Sequence, residues 1–261
     1  MNIDGSDLDI FSIPLYYIGF KKNTRLEKDL KNVGFKQVYH FQAIDGRKLD
    51  IKDLIKNDII SIRAYNDLVY GREQRTGIST LGTIGCTLSH LELWKLCSQS
   101  LNYIIIAEND LKIKKIKDKD VKNIIKVLQK PRGVFISTNF SKNDELLFGL
   151  HLYFLTKDAS TELAKKALPI DLQTDNYVGH LANIGSINVE GCEIAGASST
   201  LFNTSTSGIC IKCWLPKDWR FYLVVLICTV TFVIMSIFLF KKLRVVKEEL
   251  DSCKSSKSSI E

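Results

Sequence analysis

The chain has 261 residues and a formal net charge of +7, from 36 lysines and arginines against 29 aspartates and glutamates. A hydrophobic share of 45% with 25% charged residues belongs to a folded chain with room for one large domain and an appendage, and excludes a disordered or fibrous polypeptide. The positive surplus is too small to argue for nucleic acid, and no nucleic-acid motif accompanies it; an anionic substrate, an anionic lipid or a sulfated glycan would suit it.

In chain order, the opening MNIDGSDLDIF shows neither the basic nor the long apolar stretch of a secretory signal. Residues 13–18 read as a strand, and Asn23 suits the cap of a helix over residues 24–33 that Gly34 ends. Residues 36–43 read as a second strand, closed by a turn at Asp45-Gly46. Residues 58–80 are polar and poorly periodic, the pattern of a long loop. Over residues 83–97, Ile84, Leu88, Leu91 and Leu93 fall at helical spacing. The run Ile104-Ile105-Ile106-Ala107 is a buried strand by composition. Residues 121–128 form a basic amphipathic helix stopped by Pro131, residues 133–137 and 150–155 two more strands, and Asp158 can cap a helix through Lys166. Strands alternating with helices imply a doubly wound α/β domain with a mostly parallel sheet.

The third strand ends in Glu108-Asn109-Asp110. Ligands of open α/β sheets bind outside the carboxyl ends of the strands. Carboxylates there can hold a divalent cation, and the cation a diphosphate, which suggests a nucleotide-sugar site. A strand simply running into a charged loop has the same pattern.

Residues 221–240, from Phe221 to Phe240, carry no charge and are long enough to cross a bilayer as a helix. Trp214, Trp219 and Tyr222 lie at one end, and Lys241, Lys242 and Arg244 follow the other. The expected organisation is a globular domain over 1–195, a juxtamembrane linker over 196–220, a transmembrane helix over 221–240 and a basic, Ser/Lys-rich tail over 241–261. With no signal recognised, the expected placement is a single-pass protein anchored near its C-terminus. Its domain would face the cytosol or a virion surface rather than an endomembrane lumen, although six basic tail residues against four acidic ones argue the other way. Seven cysteines over this length are not a disulfide scaffold. Cys86, Cys97 and Cys228 read as buried thiols, while the Cys210–Cys213 pair is open to a zinc or a disulfide reading. The sequons at Asn139 and Asn203 matter only for a lumenal domain.

The block Gly82-Thr83-Ile84-Gly85-Cys86-Thr87-Leu88-Ser89-His90-Leu91-Glu92-Leu93-Trp94 resembles the G-x-I-G-C-x-x-S-H-x-x-x-W signature of glycosyltransferase family 25, which includes bacterial lipooligosaccharide and collagen galactosyltransferases. Residues 13–25 are similar to the family's opening strand and basic turn, Ala43-Ile44-Asp45-Gly46 to its A-x-D-G, Glu108-Asn109-Asp110 to its E-D-D, and Asp175-Asn176-Tyr177-Val178 to its late acidic segment. The likeness runs over roughly residues 11–195. It implies a Rossmann-like GT-A fold and inverting, metal-assisted transfer of a hexose from a UDP-sugar to a glycan or protein acceptor, with Mn²⁺ the usual cation. By carry-over, Asp110, Glu108 and Asn109 would hold the metal, with Glu108 also able to bond the nucleotide. Asp175 would be a second acid, as ligand or base. Ser89 and His90 would shape the donor pocket, and Lys22 and Arg25 could meet phosphates. Two readings stand for His90, a direct catalytic role and a hydrogen-bonded helix histidine. Three positions depart from the family: Asn109 for its middle acid, Gly19 where asparagine is usual, and Lys22 where arginine is usual, which loses the bidentate fork toward phosphate. The acid-ended strand, the late apolar span and the absence of a recognised signal also resemble tail-anchored poxvirus virion-surface proteins with a glycosyltransferase-like domain that bind heparan sulfate. In that alternative, Lys112, Lys114, Lys115, Lys117, Lys119, Lys122 and Lys126 would form the sulfate-binding face.

Overall fold

The Asn23 side chain accepts a hydrogen bond from the Leu26 amide, and α1 (Thr24–Val33) begins there. Gly34, at φ +123°, ends it by turning its N–H back onto the last carbonyls, a conformation that side chains rarely tolerate. The structure, a computed structural model, describes residues 8–71, 77–113, 115–138, 140 and 149–197. Around α1 the chain runs β1 (Leu15–Gly19), β2 (Val38–Gln42), α2 (Ile51–Lys56), α3 (Ile62–Tyr70), α4 (Leu81–Ser100) and β3 (Tyr103–Glu108). It continues through β4 (Leu111–Ile113), α5 (Asp118–Leu128), β5 (Gly133–Ile136), β6 (Leu152–Thr156), α6 (Lys157–Lys166), α7 (Thr174–Asn183), β7 (Asn188–Gly191) and β8 (Ala195–Ala197).

Six strands form one sheet in the order β2-β1-β3-β6-β5-β7, and β4 pairs with β8 in a small ribbon. The sheet is α/β and mostly parallel, as the alternation of elements predicts: β2, β1 and β3 run together, and so do β5 and β7. The exception is β6, antiparallel to both β3 and β5. Side chains alternate across the pleat of β3. Ile104 and Ile106 pack with Leu91 and Trp94 of α4, Leu163 of α6 and Val178 of α7. Ile105 and Ala107 pack with Leu26 and Leu30 of α1 and Ile124 and Val127 of α5. Helices on both faces account for the unbroken apolar run of that strand, and each of its isoleucines contributes about 1.5–3 kcal/mol on burial.

Helix α4 crosses the turn after β2 at backbone contact. A β-carbon on Gly46 would sit 1.8 Å from the Leu81 carbonyl oxygen, and one on Gly85 would sit 2.5 Å from that of Ile44. Both glycines are therefore fixed by close approach rather than by flexibility.

Several sequence expectations change. Residues 58–80 are not one long loop: Ser61 caps α3 by accepting the Ala64 amide, and Asp67 accepts the Ile78 amide. The pattern hid this helix because only a narrow stripe, including Ala64, is buried against Ile60, Ile78 and Ile84. The cap of α6 is Thr156, and Asp158 lies in its first turn. β8 runs to Ala197, two residues beyond the expected domain boundary at 195. No helix among the described residues is long and apolar enough to cross a membrane. Residues 221–240, the tail, the linker beyond 197 and the Cys210–Cys213 pair lie outside the described residues.

Candidate functional site

The parallel strands β1 and β3 finish at the same edge of the sheet, with Ile18 opposite Glu108. Because β6 runs the other way, it begins at that edge. Leu152 pairs with Ala107, and the Glu108 amide donates to the His151 carbonyl at 2.9 Å. Residues just before β6 thus meet residues at the end of β3. Asp175, in the first turn of α7, joins them: its Oδ2 accepts from the Gly149 amide at 3.3 Å and its Oδ1 from the Asn176 amide at 2.8 Å. From behind, α4 presents Cys86 and His90.

Glu108 is the hub. Its Oε2 lies 2.9 Å from His151 Nδ1, and its Oε1 lies 4.0 Å from His90 Nε2. Asp110 Oδ1 is 4.0 Å from the same His151 nitrogen. Burial pushes the Glu108 carboxyl up, but the His151 hydrogen bond and the two imidazoles outweigh it and hold it below the usual range. Asp110 is raised by burial and by the charge of Glu108. His151 is raised by its hydrogen bond to Glu108, against the opposing effect of burial. Burial also raises Asp175, against the two backbone amides that favour its ionised form.

His90 sits in a different setting. Burial lowers it to about 4, so it is neutral at pH 7. Tyr153 Oη accepts from Trp94 Nε1 at 3.0 Å, which leaves its proton for His90 Nδ1 at 2.7 Å. The proton on His90 then lies at Nε2, toward Glu108. This chain of Trp94, Tyr153 and His90 explains why the signature block needs a histidine and a tryptophan four residues apart: they share one face of α4. The hydrogen bond to Tyr153 matches the reading of His90 as a helix histidine that ties two elements together, and its other nitrogen faces Glu108 at 4.0 Å.

The other expected site residues divide. Ser89 is buried, donates to the Gly85 carbonyl at 2.7 Å and accepts from the Ile44 amide at 2.9 Å. It ties α4 to the Ala43–Gly46 turn. Lys22 is exposed and lies 3.5 Å from Glu27, while Arg25 is exposed on the first turn of α1. Asn109 turns its side chain against Gly19, where a β-carbon would come within 3.1 Å of the Asn109 amide. Its backbone oxygen accepts from Asn23 Nδ2 at 3.2 Å. Two of the departures from the family pattern, Gly19 and Asn109, therefore touch each other.

His151 is the residue that sequence reasoning missed. It lies within an apolar strand pattern, residues 150–155, whose direction the sequence leaves open, and only an antiparallel strand brings it to this edge. The donor atoms of Glu108, Asp110 and His151 all lie within 4.8 Å of one another, as do those of Cys86, His90 and Glu108. The first group, two carboxylates and an imidazole at the sheet edge, fits a divalent cation. The second does not. Burial pushes the Cys86 thiol far above its ordinary range, away from the thiolate a metal needs, and His90 spends Nδ1 on Tyr153.

The comparisons with known proteins give the family. A family profile described as "Glycosyltransferase family 25 (LPS biosynthesis protein)" matches residues 13–166, more than half of the chain. Proteins named "Glycosyltransferase 25 family member" from Drosophila melanogaster and Anopheles gambiae are 27% and 29% identical over 93 residues, 35% of this chain. The matched segment is only 14–15% of the length of those relatives. Among solved structures, apo mouse Xyloside xylosyltransferase 1 aligns over 68% of this chain and 63% of its own at 11% identity, with a TM-score of 0.29. The profile covers β1, the Gly85–Trp94 block and the acid-ended β3 as one continuous match, and by it this chain belongs to glycosyltransferase family 25.

Proposed function

We propose that the chain is a membrane-anchored glycosyltransferase that moves a hexose from a UDP-sugar to a glycan or protein acceptor, assisted by a divalent cation and with inversion. The observation that supports it most is the meeting of Glu108 and Asp110 at one sheet edge, with Asp175 within electrostatic reach of Glu108, in a family-25 chain. Glu108 and Asp110 would hold the cation, Mn²⁺ being the usual one in the family. When bound, the cation supplies Lewis-acid neutralisation of the diphosphate leaving group. Asp175 is the candidate base for the acceptor hydroxyl, since a carboxyl raised by burial takes up a proton more readily near neutral pH. The neutral His90, fixed by Tyr153, would back Glu108 from the core side without adding charge. Lys22, which follows β1 at the same edge, would meet an anionic donor, and residues 221–240 would hold the domain at a membrane.

The test is calorimetric titration of the full-length protein with UDP-sugars, with and without Mn²⁺, beside a radiolabelled transfer assay. Mn²⁺-dependent binding that Asp110→Ala removes supports the reading, and binding indifferent to both contradicts it. The glycosaminoglycan alternative keeps one supporting observation: Lys112, Lys115, Lys117, Lys119, Lys122 and Lys126 are all exposed from β4 through the connecting segment to α5, Lys114 lying outside the described residues. It predicts salt-sensitive heparin binding that is lost on neutralising those lysines and unaffected by Asp110→Ala.

A further inference from the structure

We propose that His151 is a direct ligand of the cation, a nitrogen donor that makes up for the carboxylate missing at Asn109. The inference rests on the proposed metal-assisted reading and goes beyond it by naming a ligand from a different strand and of a different chemistry.

Four observations carry it. His151 Nδ1, the nitrogen facing the site, lies 2.9 Å from a Glu108 oxygen and 4.0 Å from an Asp110 oxygen, so one ion could meet all three donors with small side-chain rotations. The imidazole is 23% exposed, in the same range as Glu108 at 30% and Asp110 at 27%, so all three reach the same half-open space. Asn109 faces elsewhere, against Gly19. The ring also occupies a prepared seat. Gly149 has φ +82°, and a β-carbon there would fall 2.6 Å from His151 Nε2. Any other residue at 149 would press the ring out of position, as well as straining the backbone. The antiparallel direction of β6 is what delivers this residue, since its main chain is bonded to Glu108 at the first rung of the β3–β6 ladder.

A nitrogen donor changes which ions bind well. Mg²⁺ favours oxygen ligands and rigid octahedral geometry, whereas Mn²⁺, Co²⁺ and Zn²⁺ accept imidazole. Replacing His151 should therefore weaken the transition ions more than Mg²⁺.

The experiment is pulsed electron paramagnetic resonance of Mn²⁺ added to full-length protein in detergent, with titration of Mn²⁺ and Mg²⁺ by calorimetry. The wild type and His90→Gln should both show the modulation of a directly bound nitrogen. His151→Gln should lose it, with Mn²⁺ affinity falling about tenfold or more and Mg²⁺ affinity changing by less than about threefold. If His151→Gln does not fold, ¹⁵N-histidine labelling of the wild type and of His90→Gln gives the same answer through the isotope shift. Mn²⁺ bound without a coordinated nitrogen, or coupling that survives His151→Gln or vanishes in His90→Gln, overturns the assignment of His151 and leaves the transferase reading standing. Failure of Mn²⁺ to bind at all, or binding untouched by Asp110→Asn, overturns both.

Discussion

The two sides of Glu108 differ in kind. On one side lies a dry wall, Trp94, Tyr153 and His90, fully buried, neutral and closed by hydrogen bonds. On the other lies a half-open rim of Asp110, His151 and Asp175, where two carboxyls and an imidazole are all displaced upward from their ordinary ranges. The wall takes His90 and Trp94 from the family's signature block, and the rim takes nothing from it. The lesson is that the histidine and tryptophan of the signature build the support, while the proposed ligands and base come from separate strand ends and a helix start.

Substitutions should separate the two sides. Trp94→Ala opens a cavity in the wall and removes a donor from Tyr153, so stability should fall by about 3–5 kcal/mol in urea unfolding. Asp110→Asn should do the reverse. It relieves repulsion with Glu108, so the unfolding midpoint should hold or rise slightly, while the transfer rate falls about a hundredfold or more, roughly 3 kcal/mol. A large loss of stability in Asp110→Asn would mean that the rim is structural after all.

Ser89→Ala sharpens the division within the signature. It leaves the Ile44 amide without its partner, and the expected cost is about 1–3 kcal/mol with KM for the donor unchanged. A selective rise in KM would return Ser89 to the donor pocket.

The wall should also show in the pH dependence. The folded value for His90 is depressed, so the stability it contributes is present above the unfolded value near 6.5 and is lost as pH falls toward about 4. Between pH 6.5 and 5 that amounts to roughly 2 kcal/mol at about 1.4 kcal/mol per pH unit. His151 is raised and has the opposite sign: its contribution is present below its unfolded value and lost as pH rises through the folded one. Urea midpoints measured across pH 5–8 should flatten at the acid end in His90→Gln and at the alkaline end in His151→Gln. The smallest effect expected is for Lys22→Ala, under about 0.5 kcal/mol, because its pairing with Glu27 is exposed to water.

Much of the frame was legible in the sequence. The cap at Asn23 and the stop at Gly34 marked α1, and the unbroken apolar run of β3 marked a strand covered on both faces. Its acidic end marked the edge where Glu108 and Asp110 stand. The direction of β6 was not legible, because a buried strand reads the same whether parallel or antiparallel. His151 was lost with it, since its importance depends on which end of the sheet receives it. Helix α3 escaped because its buried stripe is narrow and one buried member, Asp67, is polar. The likeness gives Ser89 its position in the signature but not its partners, the Gly85 carbonyl and the Ile44 amide.

The central claim is that the β3 edge is a binding site for a cation and a diphosphate. It is tested most directly by calorimetry of one UDP-sugar against full-length wild type and Asp110→Ala, each with Mn²⁺ and with a chelator. The account predicts heat of binding only for wild type with Mn²⁺; equal binding in all four experiments, or in none, would contradict it.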